Sequence, residues 1–536
     1  MRGLLRYPAF AGIEVLDAVI RVLARKPTTH RLLLGPGIEP LRWWLGRGRA
    51  WRTFHVASRR VPAYSAFLAE AGHGPDLGKD GSLAEALARL PEMDKAGYIA
   101  RWSVMDRSLD GRLPRRGVVV DESSGSSGVP TSWVRGPDER MATRQLLQMG
   151  YSRTSRTLTK QPFVLNCFSL GAWATGMNIS ASLTEITMMK SIGPDRDKVV
   201  QTMREFGPGF TYVILGYPPF LKALFEDDRL DWTAYDIVTA FGGEGISERM
   251  RAIIGKNAAA VFGSYGASDL EINIAIETDF SVQLRQAIAA SPELAARITK
   301  RDEYGVLPMV FQFNPFDYLM ESNEAGELLV TITRGSNINP RIRYNIHDRG
   351  HTLRLRDLDP VLDELGLSEV KRSRITDLPL LFLYGRSDMS VDFNGAVVAP
   401  DTVRDAIYDA PGLADAIENH RLVSYEDARG DRQLHIALQR IERGPELDEA
   451  AVGALLFAAM RRANGDFSNA IRTSPEGTLP TVAIYPYRTG PFANDGAKLK
   501  NEYVWMLDAG EDEAWGLRPG FTAPRHVVAV PGSAGD

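Results

Sequence analysis

Hydrophobic and polar positions change their period twice along this chain. Near the start, Ile13, Leu16, Ile20 and Leu23 recur at helical spacing, with Asp17 and Arg21 among them. That predicts an amphipathic helix packed on the body of the protein. Helical runs continue to about residue 110, with turn signals at Pro62-Ala63-Tyr64 and from Leu90 to Lys95. From Val118 onward the apolar runs shorten: Phe163-Val164-Leu165, Tyr212-Val213-Ile214-Leu215, Ile237-Val238 and Ala260-Val261-Phe262 alternate with helical segments. Such alternation predicts parallel α/β layers. Residues 308–313 and 327–333 read as strands of a more antiparallel region, and 282–301 as an Ala-rich helical insertion.

The second change follows Leu380-Leu381-Phe382-Leu383, where Tyr384-Gly385-Arg386-Ser387-Asp388 forms a short polar run. Beyond it, helices at 401–408 and 446–463 and strands at 433–440 and 481–486 predict a compact α+β module. The expected fold class is therefore α/β, with a large multi-layer N-terminal α/β domain and a small α+β C-terminal domain. The expected boundaries are a helical N-terminal extension at 1–60, the large domain at 61–386, the small domain at 387–517 and a loose tail at 518–536. No internal repeat is evident.

Composition narrows the function. A chain of 536 residues exceeds the usual single core, so more than one domain is expected. With 44% hydrophobic and 24% charged residues it reads as ordinary globular protein. A net charge of −4 offers no basic footprint for nucleic acid. The single cysteine, Cys167, excludes an intramolecular disulfide and a Cys-based zinc site, and points to a reducing, cytoplasmic setting. The apolar stretch Ile13–Leu23 is too short and too charged to be a transmembrane segment, and no signal-peptide cleavage pattern follows it. Trp43-Trp44 beside Arg42, Arg47 and Arg49 leaves a membrane-surface contact as the alternative use of this region.

The candidate chemistry begins at Asp121–Thr131, where hydroxyls and glycines follow the β-branched run Val118-Val119-Val120. Ser123, Ser124, Ser126, Ser127 and Thr131 offer hydroxyls to phosphate oxygens, while Gly125 and Gly128 permit close backbone approach. The Gly-Lys-Ser/Thr ending of a kinase-type phosphate loop is missing. A polyphosphate held here needs positive charge from elsewhere. Four further motifs follow in order: Gly242-Gly243-Glu244; Tyr265-Gly266-Ala267-Ser268-Asp269; Tyr344-Asn345-Ile346-His347-Asp348; and Gly385-Arg386-Ser387-Asp388. Lys498 lies near the C-terminus in Asn494-Asp495-Gly496-Ala497-Lys498-Leu499-Lys500.

This ordered set resembles the adenylate-forming superfamily of acyl-CoA synthetases, adenylation domains and luciferases. Val61-Pro62-Ala63-Tyr64, Leu90-Pro91, Asp94-Lys95, Tyr98 and the Ser-Ser-Gly-Ser-Ser-Gly-Val-Pro-Thr loop make it similar to the phenylacetate–CoA ligase branch. The resemblance spans about residues 60 to 505. It implies ATP and Mg²⁺ as cofactors, an acyl-AMP intermediate, and a mobile small domain. It also implies transfer to a thiol, coenzyme A in that branch; an amine or a carrier-protein thiol is the alternative acceptor, and a non-catalytic nucleotide-binding homologue the further one. It leaves room for a homodimer.

The resemblance also assigns roles. Tyr265 and Gly266 match the adenine-stacking segment, Ser268 lies near the α-phosphate, and Asp269 is the Mg²⁺ ligand, with Glu271 as its rival. Gly243 and Glu244 match the segment lining the adenine pocket, a solvated loop carboxylate being the other reading of Glu244. Asp348 takes the ribose hydroxyls, Arg386 meets ribose or phosphate, Asp388 is the hinge, and Lys498 is the catalytic lysine, with Lys500 as rival. Phe168, Trp173, Tyr212 and Phe241 mark an acyl pocket suited to an aryl acid, or else plain core. His347 is either structural or a contact to the bound molecule. Three departures stand out: Asp269 replaces a glutamate, Ile346-His347 replaces Thr-Gly, and Ala497 separates Gly496 from Lys498.

Overall fold

The computed structural model describes residues 6–23, 29, 32–35, 37–78, 81–123, 131–137, 139–140, 160–171, 174–184, 187–304, 306–334, 337–387, 390–410, 412–493, 503–507, 511–512, 514–526. Its strands run in chain order. A hairpin pairs β1 (Val119–Ser123) with β2 (Thr131–Arg135). The parallel set is β3 (Gln161–Asn166), β4 (Met188–Ser191), β5 (Phe210–Gly216), β6 (Asp236–Phe241) and β7 (Val261–Tyr265). The antiparallel set is β8 (Ala275–Ile276), β9 (Met309–Phe313), β10 (Tyr318–Ser322), β11 (Glu327–Ile332), β12 (Tyr344–Leu353) and β13 (Leu380–Arg386). Among the described residues these two sets join into one eleven-stranded sheet, ordered β10-β11-β12-β13-β9-β8-β7-β6-β5-β3-β4. The change from parallel to antiparallel falls at β7/β8.

The sequence explains the split. In β5 every residue after Phe210 is buried, the pattern of a strand covered on both faces, as parallel strands are. The helices Asp279–Ala290 and Leu355–Glu364 cover the antiparallel part, burying Phe280, Leu284, Leu358 and Leu362 against Val310, Leu380 and Phe382. The helix Glu39–Arg60 packs into the large core through Trp43, Ala50, Phe54 and Ala57. It comes so close to the sheet that a Cβ on Gly46 would lie 2.0 Å from the Pro315 carbonyl oxygen. Arg49 Nη1 donates to Phe316 O at 2.6 Å and Thr53 Oγ1 to Thr333 O at 2.7 Å.

A second core collects Val391, Phe393, Val403, Leu422, Ile436, Leu456, Phe467 and Val482. Its strands are the hairpin β14 (Val391–Phe393) and β15 (Ala396–Val398), and the sheet of β16 (Ile417–Glu426), β17 (Arg432–Arg440), β18 (Thr481–Tyr485), β19 (Val504–Leu507) and β20 (Phe521–Thr522). Residues 518–526, read from their prolines and glycines as the start of a loose tail, instead close this sheet. β20 pairs with β18, and the Phe521 ring sits where a Cβ on Gly453 would be, at 2.4 Å. Among the described residues no helix is long and apolar enough to cross a membrane.

Candidate active site

A cavity of about 980 Å³ opens where the carboxyl ends of the parallel strands meet the antiparallel strands and the β14–β15 hairpin. Loops at the carboxyl ends of parallel strands are where such sheets bind ligands. Tyr217 follows β5, Gly242–Gly245 follow β6, and Tyr265 ends β7 with Gly266–Asp269 after it; all line the cavity. The register of β12 against β13 places Asp348 opposite Arg386. Tyr265 OH donates to Asp348 Oδ2 at 2.7 Å, and Arg386 Nη1 lies 3.9 Å from Asp348 Oδ1. Burial, with Asp348 beside it, holds the Tyr265 phenol well above its ordinary range, so it stays protonated and donates.

Asp269 sits at the cavity wall with Oδ2 accepting from Tyr344 OH at 2.9 Å, while its backbone oxygen accepts from Arg341 Nε at 2.8 Å. A Cβ on Gly266 would lie 2.0 Å from Ile272 O, so the turn before Asp269 closes only on glycine. This turn is tied to the β1–β2 hairpin. Arg135 in β2 donates to Asp121 Oδ2 at 2.5 Å, Leu270 O at 2.9 Å and Ser268 O at 2.6 Å, and Asn178 Nδ2 donates to the same Asp121 oxygen at 2.8 Å. Asp121 and Arg135 are both buried. One buried ion pair therefore sets the height of Thr131 and Glu122 relative to Ser268 and Asp269, all four of which line the cavity.

The small domain closes the other side. At the hairpin tip Gly395 has φ +82°, and a Cβ there would meet Tyr217 Cε1 at 2.5 Å; a Cβ on Gly243 would meet the same ring at 2.6 Å. Two glycines, Gly243 after β6 and Gly395 on the hairpin, thus make room for the same edge of the Tyr217 ring. Asn469 Nδ2 donates to Ser169 Oγ at 3.1 Å across the same seam. Glu244 is pushed up to about 7 by burial, with Asp392 adding to the push and Arg432 and the Asn394 N–H opposing it. Its Oε2 meets no hydrogen-bond partner among the described residues. Asp466 is also pushed up to about 7 by burial, against the pull of Lys95.

No protein-family model matches the chain, and no curated protein does. Among solved structures, it is similar to 2-hydroxyisobutyryl-CoA ligase in complex with 2-HIB-AMP and CoA in the thioesterification state. The TM-score is 0.60 over 89% of this chain and 91% of that one, at 16% identity. An amide bond synthetase from Marinactinospora thermotolerans matches at 0.41, with 15% identity over 75% of this chain and 74% of that one. The o-succinylbenzoate CoA synthetase of Bacillus subtilis matches at 0.37, with 14% identity over 68% and 64%. The fold is that of the matched 2-hydroxyisobutyryl-CoA ligase.

On this fold the expected site residues divide. Thr131, Gly243, Glu244, Tyr265, Gly266, Ser268, Asp269, Asp348, Arg386 and Phe168 all line the cavity. Ser124, Gly125, Ser126, Ser127, Gly128, Trp173, Asp388, Lys498 and Lys500 lie outside the described residues, and Ser123 is described only as the last backbone position of β1. Three expectations are corrected. Tyr212 points into the core and donates its hydroxyl to Gly207 O at 2.7 Å. Phe241 is core beneath Gly263, with Arg251 over its ring at 5.6 Å. Glu271, the rival metal ligand, faces away from the cavity, where Tyr318 OH and Arg334 donate to its two oxygens.

His347 lines the cavity at φ +64°, its N–H held by Asn345 Oδ1 at 2.7 Å and its Nδ1 3.2 Å from Glu327 Oε1. Glu327 sits at about 2, because donors from Ser387, Asn323, Asn345 and His347 outweigh its partial burial. This carboxylate staples the Arg386–Ser387 turn to the Asp348 strand. Glu327 was missed because a lone glutamate at the head of a strand carries no motif. Within the pocket segment Tyr212 to Phe220, the sequence reading singles out Tyr212 in place of Tyr217, which stands beyond the strand's end. Among the described residues no group of three or more His, Cys, Asp or Glu gathers as a metal cage. The single carboxylate of Asp269 suits Mg²⁺, which is held by one or two carboxylates plus phosphate oxygens.

Proposed function

We propose that this protein activates a carboxylic acid with ATP and passes the acyl group to a thiol. The observation that supports the reading is convergence. Thr131, Tyr265, Asp269, Asp348 and Arg386 come from separate segments and line one cavity in an adenylate-forming fold. Asp348, pinned by Tyr265 and Arg386, offers the acceptor oxygens that two ribose hydroxyls need. The Tyr265 ring provides a face for adenine. Mg²⁺ carried by Asp269 and the nucleotide phosphates would neutralise phosphate charge.

In the first step a carboxylate oxygen attacks the α-phosphorus and pyrophosphate leaves, with Lys498 stabilising the developing charge. In the second, sulfur attacks the acyl carbon, AMP leaves and the thiol proton passes to water. The small domain rotates about Asp388 between the two. The ligase matched at 0.60 was captured in its thioesterification state, and in this chain the β14–β15 hairpin already lies against the cavity. Coenzyme A is the acceptor that the phenylacetate–CoA ligase-like motifs favour, and Phe168 and Tyr217, 5.0 Å apart and edge to face, favour an aryl or arylacetic acid.

Acid-dependent exchange of labelled pyrophosphate into ATP tests the first step. Release of ADP instead of AMP, or no exchange across a broad acid panel, refutes it. One observation favours a second reading, transfer to an amine: the seam between the domains carries the half-buried carboxyls of Glu244 and Asp466, both pushed up to about 7. Turnover accelerated by amines and indifferent to coenzyme A would establish it.

A further inference from the structure

The serine-rich loop provides no cation, and Lys498 belongs to the far end of the chain. The cavity nevertheless has a positive charge built into its large-domain wall. Arg107 is only 6% exposed, yet it lines the cavity beside Thr131, Ser132 and Asp269. Its Nε donates to Trp102 O at 3.1 Å and to Ser103 O at 3.4 Å, which orients the guanidinium. Its Nη1 is enclosed and, among the described residues, meets no acceptor. Burial pulls the guanidinium down to about 10, and Arg341 adds to this, while Tyr98, Tyr344 and Asp269 pull the other way.

Arg107 and Arg341 both lie over the Trp133 ring, at 6.0 and 4.8 Å. Arg341 donates from Nε to Asp269 O at 2.8 Å and from Nη1 to Asn339 O at 2.7 Å. Of the two, only Arg107 has an enclosed donor, Nη1, that meets no acceptor among the described residues. A buried cation keeps an unpaired N–H only at a cost, and a guanidinium fork fits phosphate oxygens. We infer that Arg107 is a binding residue for the β- and γ-phosphates of ATP, and hence for the pyrophosphate released. The inference rests on the adenylation reading and adds to it the cation that the loop lacks.

The test is equilibrium binding of three probes, inorganic pyrophosphate, ATP and AMP, to the full-length wild type, Arg107→Gln and Arg107→Lys. Arg107→Gln is expected to weaken pyrophosphate and ATP about tenfold or more, the loss of one charge-assisted contact, while AMP changes less than about twofold. Arg107→Lys, which keeps the charge but not the fork, is expected to fall between. Equal pyrophosphate affinity in wild type and Arg107→Gln overturns the inference, as does an equal loss of AMP, which would mark a structural role. A rise confined to the acid's KM would assign Arg107 to the carboxylate instead and also overturns it. A wild type that binds neither ATP nor AMP refutes the adenylation reading itself. If the Gln variant does not fold, the wild type still decides: pyrophosphate, but not AMP, should protect Arg107 from phenylglyoxal in a mass-spectrometric footprint, and equal modification with and without pyrophosphate overturns the assignment.

Discussion

Replacing Glu244 by glutamine should make the protein more stable in mildly alkaline solution and leave it unchanged in acid. Burial pushes the Glu244 carboxyl from 4.5 to about 7, and the hairpin residue Asp392 pushes the same way. The folded protein therefore holds this proton more tightly than the unfolded chain does. Stability from the group is fully present below pH 4.5, falls as the pH rises through 7 and is gone above it. At about 1.4 kcal/mol per pH unit the effect is at most about 3 kcal/mol, and smaller to the extent that water enters the open end of the cavity. Glutamine keeps the shape and an oxygen for the Asn394 N–H but cannot ionise. The assay is urea denaturation of both proteins from pH 4.5 to 8.5, read as the difference between the two profiles. The difference should be near zero at pH 4.5 and grow to favour the variant by up to about 3 kcal/mol at pH 8. Parallel profiles, or a difference that grows toward acid, would refute the burial argument.

Three other outcomes follow from the same geometry. Gly395→Ala forces a Cβ into the Tyr217 ring at a left-handed backbone position, so acyl transfer should fall at least about tenfold while pyrophosphate exchange is largely kept; equal loss in both assays counts against a role for the hairpin in the second step. Arg135→Met leaves Asp121 buried without its cation, and should lower stability by about 3–5 kcal/mol in denaturant titration. Lys498→Ala should depress acyl-AMP formation far more than thioester formation from supplied acyl-AMP, and the same pattern from Lys500→Ala would move the assignment by two residues.

Much of the fold was legible because periodicity is a local property. The runs at 163–165, 212–215 and 237–238 became β3, β5 and β6, and the strands read at 308–313 and 327–333 became β9 and β11. The motif order also survived folding, since the end of β7 and its following turn carry Tyr265 and Asp269, and β12 and β13 carry Asp348 and Arg386, to one cavity. What misled was orientation. Tyr212 and Tyr217 are equally aromatic and five residues apart, yet the first fills the core and the second stands beyond the strand's end, facing the small domain. Asp269 and Glu271 are two residues apart, and only the turn at Gly266 decides which carboxylate faces the cavity.

By itself, the sequence determined the elements, the class of the fold and the inventory of groups that could handle a nucleotide. It also determined that the serine-rich loop is not a kinase-type loop, because no lysine follows its glycines. Only the tertiary structure decided which charges stand together. The Asp121–Arg135 pair, the Glu327 staple and the Tyr217 ring against Gly243 and Gly395 each join residues apart in the chain, and the enclosed donor of Arg107 comes to line the same cavity. Such pairings follow from strand register and from the cost of leaving buried polar groups unpaired, and neither can be read from residues taken in order.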